Sequence, residues 1–328
     1  MAISGISTTR SLDLVPLLGR GCNNVSELPS WTPSWFDFDQ KSSERQLKYL
    51  AQRRPRVENS KYGMEARKYA AAGDTMAKAR FSNEVLLTHA FLIDEVDGLS
   101  YTLSEGGKPL SFRNMSRSFP EDNLYHDNES MVVAAAEALS RGMMKLCSFE
   151  PQVSLALVCG NLKLPLPGMD PTLDTSPFFV LSQNPLGSSL TNNYLRDGES
   201  HLSGLLKLLI QSIECEPHSQ DIICRIWNET EIWKSGDPFA LIVKSVREIL
   251  KDDMRFMTTK KGYFGWAHPR AEQGDQIFLL PGCSVPVVLR TKVEGGYTMV
   301  GDAYVQGIMF GELMGDDQDV PWTHIEIR

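Results

Sequence analysis

Six side chains carry chemistry worth testing if the fold brings any two of them together: Asp94, Arg255, His268, Arg290, Tyr304 and Glu312. A carboxylate, an imidazole or a phenol needs only a partly dry pocket and one convergent partner to move a proton. Asp94 interrupts the apolar run FLIDEV, where a carboxylate is either paired with an arginine or turned outward. His89, five residues before Asp94, falls on the opposite strand face if the pleat is regular, and reads as a satisfied histidine. His268 lies in GWAHPR, a turn-like segment, where a titratable ring is either new chemistry or neutral filling. Arg255 and Arg290 are placed at the end of a helix and the end of a strand. Each can hold a carboxylate such as Asp275 or Glu312 through a two-pronged bond, or clamp a substrate. Tyr304 reads as a packed ring with a bonded hydroxyl or as an acid. Glu312 follows Gly311 at the end of GDAYVQGIMFGE and reads as an anchor for an arginine. The three glycines 301, 307 and 311 suit a backbone that twists or approaches another strand closely, so this corner reads as scaffold.

Other chemistries find no foothold in the pattern. There is no GxxxxGK[ST] phosphate loop, no HExxH and no GxSxG elbow, and GGYTMVGD lacks the dinucleotide spacing and the strand-to-helix context. No cofactor and no metal is expected. YHDNE (125–129) is the one local His/Asp/Glu cluster, and in a polar loop it reads as solvated. The six cysteines are scattered without a CxxC pair, which fits reduced thiols, and Cys283 in PGCS has no base nearby in sequence.

Composition narrows the partners. A net charge of −8 over 328 residues opposes broad binding to nucleic acid or to anionic membranes, which needs a concentrated positive field. The short basic cluster Arg53, Arg54, Arg56 reads as a solvated helix end. No segment has the length of apolar sequence that a spanning helix requires, and the N-terminus lacks the pattern of a secretory signal. A cytoplasmic location is expected.

The elements that would position these residues read as follows. Residues 1–40 end in ELPSWTPSWFDFD, in which Pro29 and Pro33 hold the chain extended and Trp31, Trp35, Phe36 and Phe38 load it with rings. Such a segment is expected to lie as a strap across the body. Short helices are expected over 43–52 and 64–73, the second stopped by Gly73. A β-rich run over 81–103 turns near Asp97-Gly98, and 104–130 is a polar loop. Val132, Ala136, Leu139, Met143 and Leu146 share one face of a helix over 131–147. Residues 151–198 are proline-rich and weakly periodic, a candidate insertion or lid. Amphipathic helices are expected over 199–214 and 237–253, the latter opened by Asp237-Pro238. Beyond 275 the sequence becomes strand, turn, strand, hairpin, strand, punctuated by Pro281-Gly282 and Gly295-Gly296.

One stretch carries a resemblance. MRFMTTKKGYFGWAHPRAEQGDQIFLLPGCSVPVVLRTKVEGGYTMVGDAYVQGIMFGE (254–312) is similar to the C-terminal region of fungal heterokaryon-incompatibility (HET-domain) proteins. The matching positions are Arg255, Thr258, Gly262, Tyr263, Gly265, Gly274, Asp275, Pro286, Leu289, Arg290, Gly301, Tyr304, Val305, Gly307, Met309, Gly311 and Glu312. SLDLVPLLGRG with LPSWTPSW, and KYAAAGDT with FLIDEV, resemble the junction and the segment that follow the HET domain in such chains. The resemblance implies a HET domain that would precede residue 1, and without it the incompatibility activity is not expected simply to carry over. His268 stands where the family more often has a plain Gly-x-Pro, and Ser34 where an Asp is usual.

These readings imply an α+β protein, a single unit over 1–328, in which a C-terminal antiparallel, barrel-like β part (254–328) packs against the amphipathic helices of 41–253. Two functions follow. The first is a stand-alone, cofactor-independent enzyme of secondary metabolism, a cyclase, isomerase or lyase acting by acid–base catalysis on a small apolar metabolite. The second is a non-enzymatic recognition or regulatory module whose partner is a HET-type protein.

Overall fold

A computed structural model of the chain describes residues 11–13, 15, 29–32, 69–82, 84–102, 131–142, 249, 252–315 and 320–328. These residues hold eight strands, one α-helix and one short 3-10 turn. The expected α+β class with several amphipathic helices is therefore overturned: the described chain is a mostly antiparallel β structure. The helices expected over 43–52 and 199–214, the insertion 151–198 and nearly all of 237–253 lie outside the described residues.

The contacts divide into two compact units, residues 1–96 with 270–328, and residues 97–269. In the first unit, β1 (Ala79–Ser82) forms a hairpin with β2 (Val85–Leu99), Ser82 facing Val85. Four further strands complete the unit: β5 (Gln276–Leu279), β6 (Val287–Thr291), β7 (Tyr297–Val305) and β8 (Thr323–Ile327). The strand–turn–strand run read from the sequence beyond 275 coincides with β5, β6 and β7, and β6 and β7 join at the loop containing Gly295 (φ 87°) and Gly296 (φ 76°).

β2 is long enough to serve two further neighbours besides β1. Its first half pairs with β8, Leu86 to Ile327 through Ala90 to Thr323, and its second half pairs with β5, Phe91 to Leu279 through Glu95 to Gln276. β5 pairs with β6, β6 with β7, and β7 meets β8 at Tyr297 and Ile327. The pairings β2–β5–β6–β7–β8–β2 thus close into a ring. An odd number of strands cannot alternate direction all the way round, and the one parallel pairing, β7 with β8, absorbs the mismatch. Closure removes the free edges that an open sheet exposes.

Around the ring, Leu86, Ala90, Ile277, Leu279, Val288, Ile325 and Ile327 are buried. The alternation along β2 breaks where the register shifts between Leu92 and Asp94, a bulge that leaves Ile93 and Asp94 both buried. That bulge also removes the basis for placing His89 and Asp94 on opposite faces, which assumed a regular pleat.

Peripheral segments dock on this barrel. Trp31, from the expected strap, is buried against Phe81 at 5.1 Å between ring centroids, and its Nε1 donates to the Glu84 carbonyl at 3.0 Å. Ser30 Oγ accepts the Met299 amide at 2.8 Å and donates to the Arg328 carbonyl. The strap's other rings, Trp35, Phe36 and Phe38, lie outside the described residues. Residues 69–73 are not the end of a helix, as expected, but an irregular turn. The amides that would have bonded back along a helix go elsewhere: Ala70 N–H to Met309 O at 2.9 Å and Ala71 N–H to Ser284 O at 3.0 Å.

The second unit contains α1 (Met131–Ser140) and the hairpin β3 (Arg255–Thr259) and β4 (Phe264–Ala267). The helix expected over 131–147 stops at Ser140. Gly142 N–H reaches back to Glu137 O (2.7 Å) and Arg141 N–H to Ala138 O (3.1 Å), with Arg141 left-handed at φ 54°. This is a Schellman stop, and it satisfies carbonyls that the last turn leaves open. Trp266 satisfies one more, donating Nε1 to Leu139 O at 3.2 Å while also reaching Ala138 O at 2.9 Å. Its ring packs edge-on against Phe256, 5.2 Å away. Among the described residues no helix is long and apolar enough to cross a membrane.

Candidate functional site

The densest polar constellation in the barrel unit is built on the loop that leads into β5. Asp275, 3% exposed, accepts Arg290 Nε on Oδ1 at 2.8 Å and Arg290 Nη2 on Oδ2 at 3.0 Å. The Glu272 amide adds a third bond to Oδ2 at 2.8 Å. Arg290, on β6, spends its remaining donors on Glu272 Oε1 (2.8 Å) and the Arg270 carbonyl (2.9 Å). Glu272 is 68% exposed, so that arm lies in solvent and adds little, whereas the arm on buried Asp275 is the strong one. Hydrogen bonding from Asp275, opposed by partial burial and helped by the charges of Asp275 and Glu272, raises the Arg290 pKa above its ordinary value. The loop is tied to β2 as well: Val96 N–H donates to Asp275 O at 2.8 Å and Gly274 N–H to Val96 O at 2.9 Å. The cluster is a clasp that fixes the 270–276 loop to two strands.

Arg255 bonds backbone carbonyls through Nε and Nη1. It begins a strand rather than ending a helix, and is nearly buried. Nε donates to Pro269 O at 2.7 Å and Nη1 to Ser100 O at 2.9 Å. Ser100 completes the exchange, its amide bonding Phe256 O and its hydroxyl accepting the Phe256 amide. His268 directly follows β4 and is 3% exposed, so it is an interior residue of the second unit rather than a surface turn.

Tyr304, on β7, is buried. Its hydroxyl donates to Gln306 Oε1 at 2.7 Å, and its ring meets Tyr69 edge-on at 5.9 Å. Glu312 is exposed at the start of the 3-10 turn (Glu312–Met314), and its Oε2 accepts the Phe310 amide at 2.7 Å. It bonds its own chain and, among the described residues, anchors no arginine. Asp94 is buried in the bulge of β2, facing Ile277. Cys283 is buried as well.

The two units place Arg255 and His268 in one and Asp94, Arg290, Tyr304 and Glu312 in the other. Within the barrel unit, Arg290, Tyr304 and Glu312 bond to Asp275 and Glu272, to Gln306 and to the Phe310 amide respectively, not to one another. Among the described residues, no group of three or more His, Cys, Asp or Glu is placed to hold a metal ion.

One pair escaped sequence reasoning. His89 of β2 and His324 of β8 stand directly opposite in the register, their ring centroids 4.0 Å apart. Burial first, then the charges of His324 and Lys78, lower the His89 pKa below its ordinary 6.5, against a smaller opposing effect of hydrogen bonding to the Lys78 backbone. The available signal was the alternation THIEI, which marks a short strand with its histidine on the outer face.

Comparison with known proteins agrees with this geometry. Residues 248–320 match the family model of the Het-6 beta-barrel domain. No curated protein and no solved structure matches the chain. The matched span contains β3 to β7, including the Arg290–Asp275 clasp and Tyr304, and three of these strands belong to the closed ring. The C-terminal part of this chain is thus similar to the Het-6 beta-barrel domain, a C-terminal region of HET-type proteins.

Proposed function

We propose that the barrel serves as a non-enzymatic recognition or regulatory module whose partner is a HET-type polypeptide. One observation carries this reading: three ionisable side chains of the matched segment, Arg290, Tyr304 and Arg255, are committed to architecture. Arg290 spends Nε, Nη1 and Nη2 on Asp275, Glu272 and the Arg270 carbonyl. Tyr304 is held by Gln306, and Arg255 by the carbonyls of Ser100 and Pro269. A site for acid–base chemistry needs such groups aimed at a shared space where a substrate sits.

The competing reading, an acid–base enzyme of secondary metabolism acting on a small apolar metabolite, draws its support from the burial of Asp94 and His268. A titratable group kept from water is the usual starting point for a tuned acid or base. The test sets the two side by side. The purified chain is titrated with a purified HET-domain polypeptide, and separately screened by thermal shift against small apolar metabolites, with Asp94→Asn and His268→Ala in parallel. Saturable binding to the polypeptide supports the module. Stabilisation by a metabolite that either substitution abolishes without unfolding the chain supports the enzyme.

A further inference from the structure

We propose that His89 and His324 form a two-histidine site for an exchangeable divalent transition metal ion, clamping the β2–β8 seam of the barrel. The register sets the two residues face to face with their ring centroids 4.0 Å apart, so a modest turn of the exposed His324 side chain aims one nitrogen of each imidazole at a single ion. Imidazole suits zinc, nickel and copper. His324 is exposed, so an ion can arrive from solvent, and His89 Nδ1 is shielded from water without a hydrogen-bond partner. A buried polar atom without a partner is costly, and a metal bond would satisfy it.

The surroundings bear on the ion's charge. Lys78, exposed beside β1, opposes a cation electrostatically, but its long side chain can swing into water. Arg80 and Glu326 each lie opposite Leu87, diagonal to His89, and Glu326 Oε2 is bonded to Arg328 at 2.5 Å. With no third His, Cys, Asp or Glu grouped with the pair among the described residues, water completes the coordination shell. Such a site holds its ion reversibly, unlike a closed four-ligand structural centre. Because the pair spans the strands that close the ring, an ion bound there stabilises the folded chain by mass action.

The experiment is calorimetric titration of the full chain with Ni²⁺ and with Zn²⁺ at pH 7.5, repeated on His324→Gln, on His89→Gln and at pH 5.5. Two ligands fixed side by side gain from effective concentration, so removing either one weakens the site by roughly a hundredfold. We expect one equivalent of metal bound by the unsubstituted chain, lost in His324→Gln and at pH 5.5, with a metal-dependent rise in melting temperature that His324→Gln also lacks. His324 is exposed, so this variant keeps its fold even if His89→Gln does not. Equal stoichiometry and affinity in the unsubstituted chain and in His324→Gln would overturn the assignment and place any binding on other groups, such as thiols. Absence of binding by the unsubstituted chain would overturn it as well.

Discussion

Arg290 grips Asp275 through two parallel hydrogen bonds, Nε to Oδ1 at 2.8 Å and Nη2 to Oδ2 at 3.0 Å, and so joins β6 to the loop before β5. The carboxylate is buried, so removing the guanidinium strands a charge away from water with only the Glu272 amide left to it. Arg290→Ala should cost about 2–3 kcal/mol, below the full value for a broken buried pair because the arginine is partly exposed. Arg290→Lys keeps the charge but loses the fork, and should fall between the two. Urea unfolding at neutral pH orders the three chains. A lysine variant as unstable as the alanine variant would show that geometry, not charge, holds the loop.

Gly311 lies at φ 88°, and a Cβ there would meet the Ala70 carbonyl oxygen at 3.3 Å. Gly295 has nearly the same φ, 87°, but nothing within 4 Å of its would-be Cβ. Both Gly→Ala changes carry the left-handed penalty of about 1–2 kcal/mol. Only Gly311→Ala adds crowding against the 69–73 turn. The difference between their unfolding midpoints measures that close approach, and Gly311→Ala should be the less stable.

Trp266 closes the C-terminal end of α1 with one indole N–H shared between two carbonyls. Trp266→Phe leaves Leu139 O without its indole donor, Ala138 O with the Arg141 amide alone, and the space partly unfilled, so a loss of about 2 kcal/mol is expected. Near-unchanged stability would show that the helix end finds water or another donor.

The histidine pair predicts a pH dependence of definite sign. His89 titrates below 6.5 when folded, chiefly through burial and then through His324 and Lys78, so the folded chain binds fewer protons than the unfolded one. Its contribution is complete above pH 6.5, falls as pH drops below that value, and levels off under the folded pKa. Stability measured between pH 7.5 and 5 should decline less steeply in His89→Gln, and by a smaller margin in His324→Gln, since burial outweighs the partner ring. A slope unchanged by His89→Gln would contradict this account.

Sequence reasoning found what is local and missed what is distant. The turns at Pro281-Gly282 and Gly295-Gly296 placed β5, β6 and β7, because glycine and proline punctuate a chain through their own backbone geometry. The Arg290–Asp275 pair was legible from side-chain chemistry. The partners of Arg255 were not, since a backbone carbonyl leaves no mark in the sequence. The helix over 131–147 was overextended because periodicity persists beyond Ser140, while the stop relies on Arg141 taking a conformation that glycine usually supplies. Residues 69–73 looked helical by composition, yet tertiary acceptors on Met309 and Ser284 claimed their amides. His324 was overlooked because its significance exists only across the seam with β2, a relationship that ring closure creates.

The central claim is that this barrel recognises a polypeptide rather than transforms a metabolite. The most direct test is calorimetric titration of the full chain with a purified HET-domain polypeptide, with an unrelated acidic protein of similar size as control. The account predicts saturable binding with a fixed stoichiometry to the HET-domain polypeptide, retained in Asp94→Asn and His268→Ala. Absence of binding, together with a metabolite whose turnover stops in either of those variants while they remain folded, would contradict it.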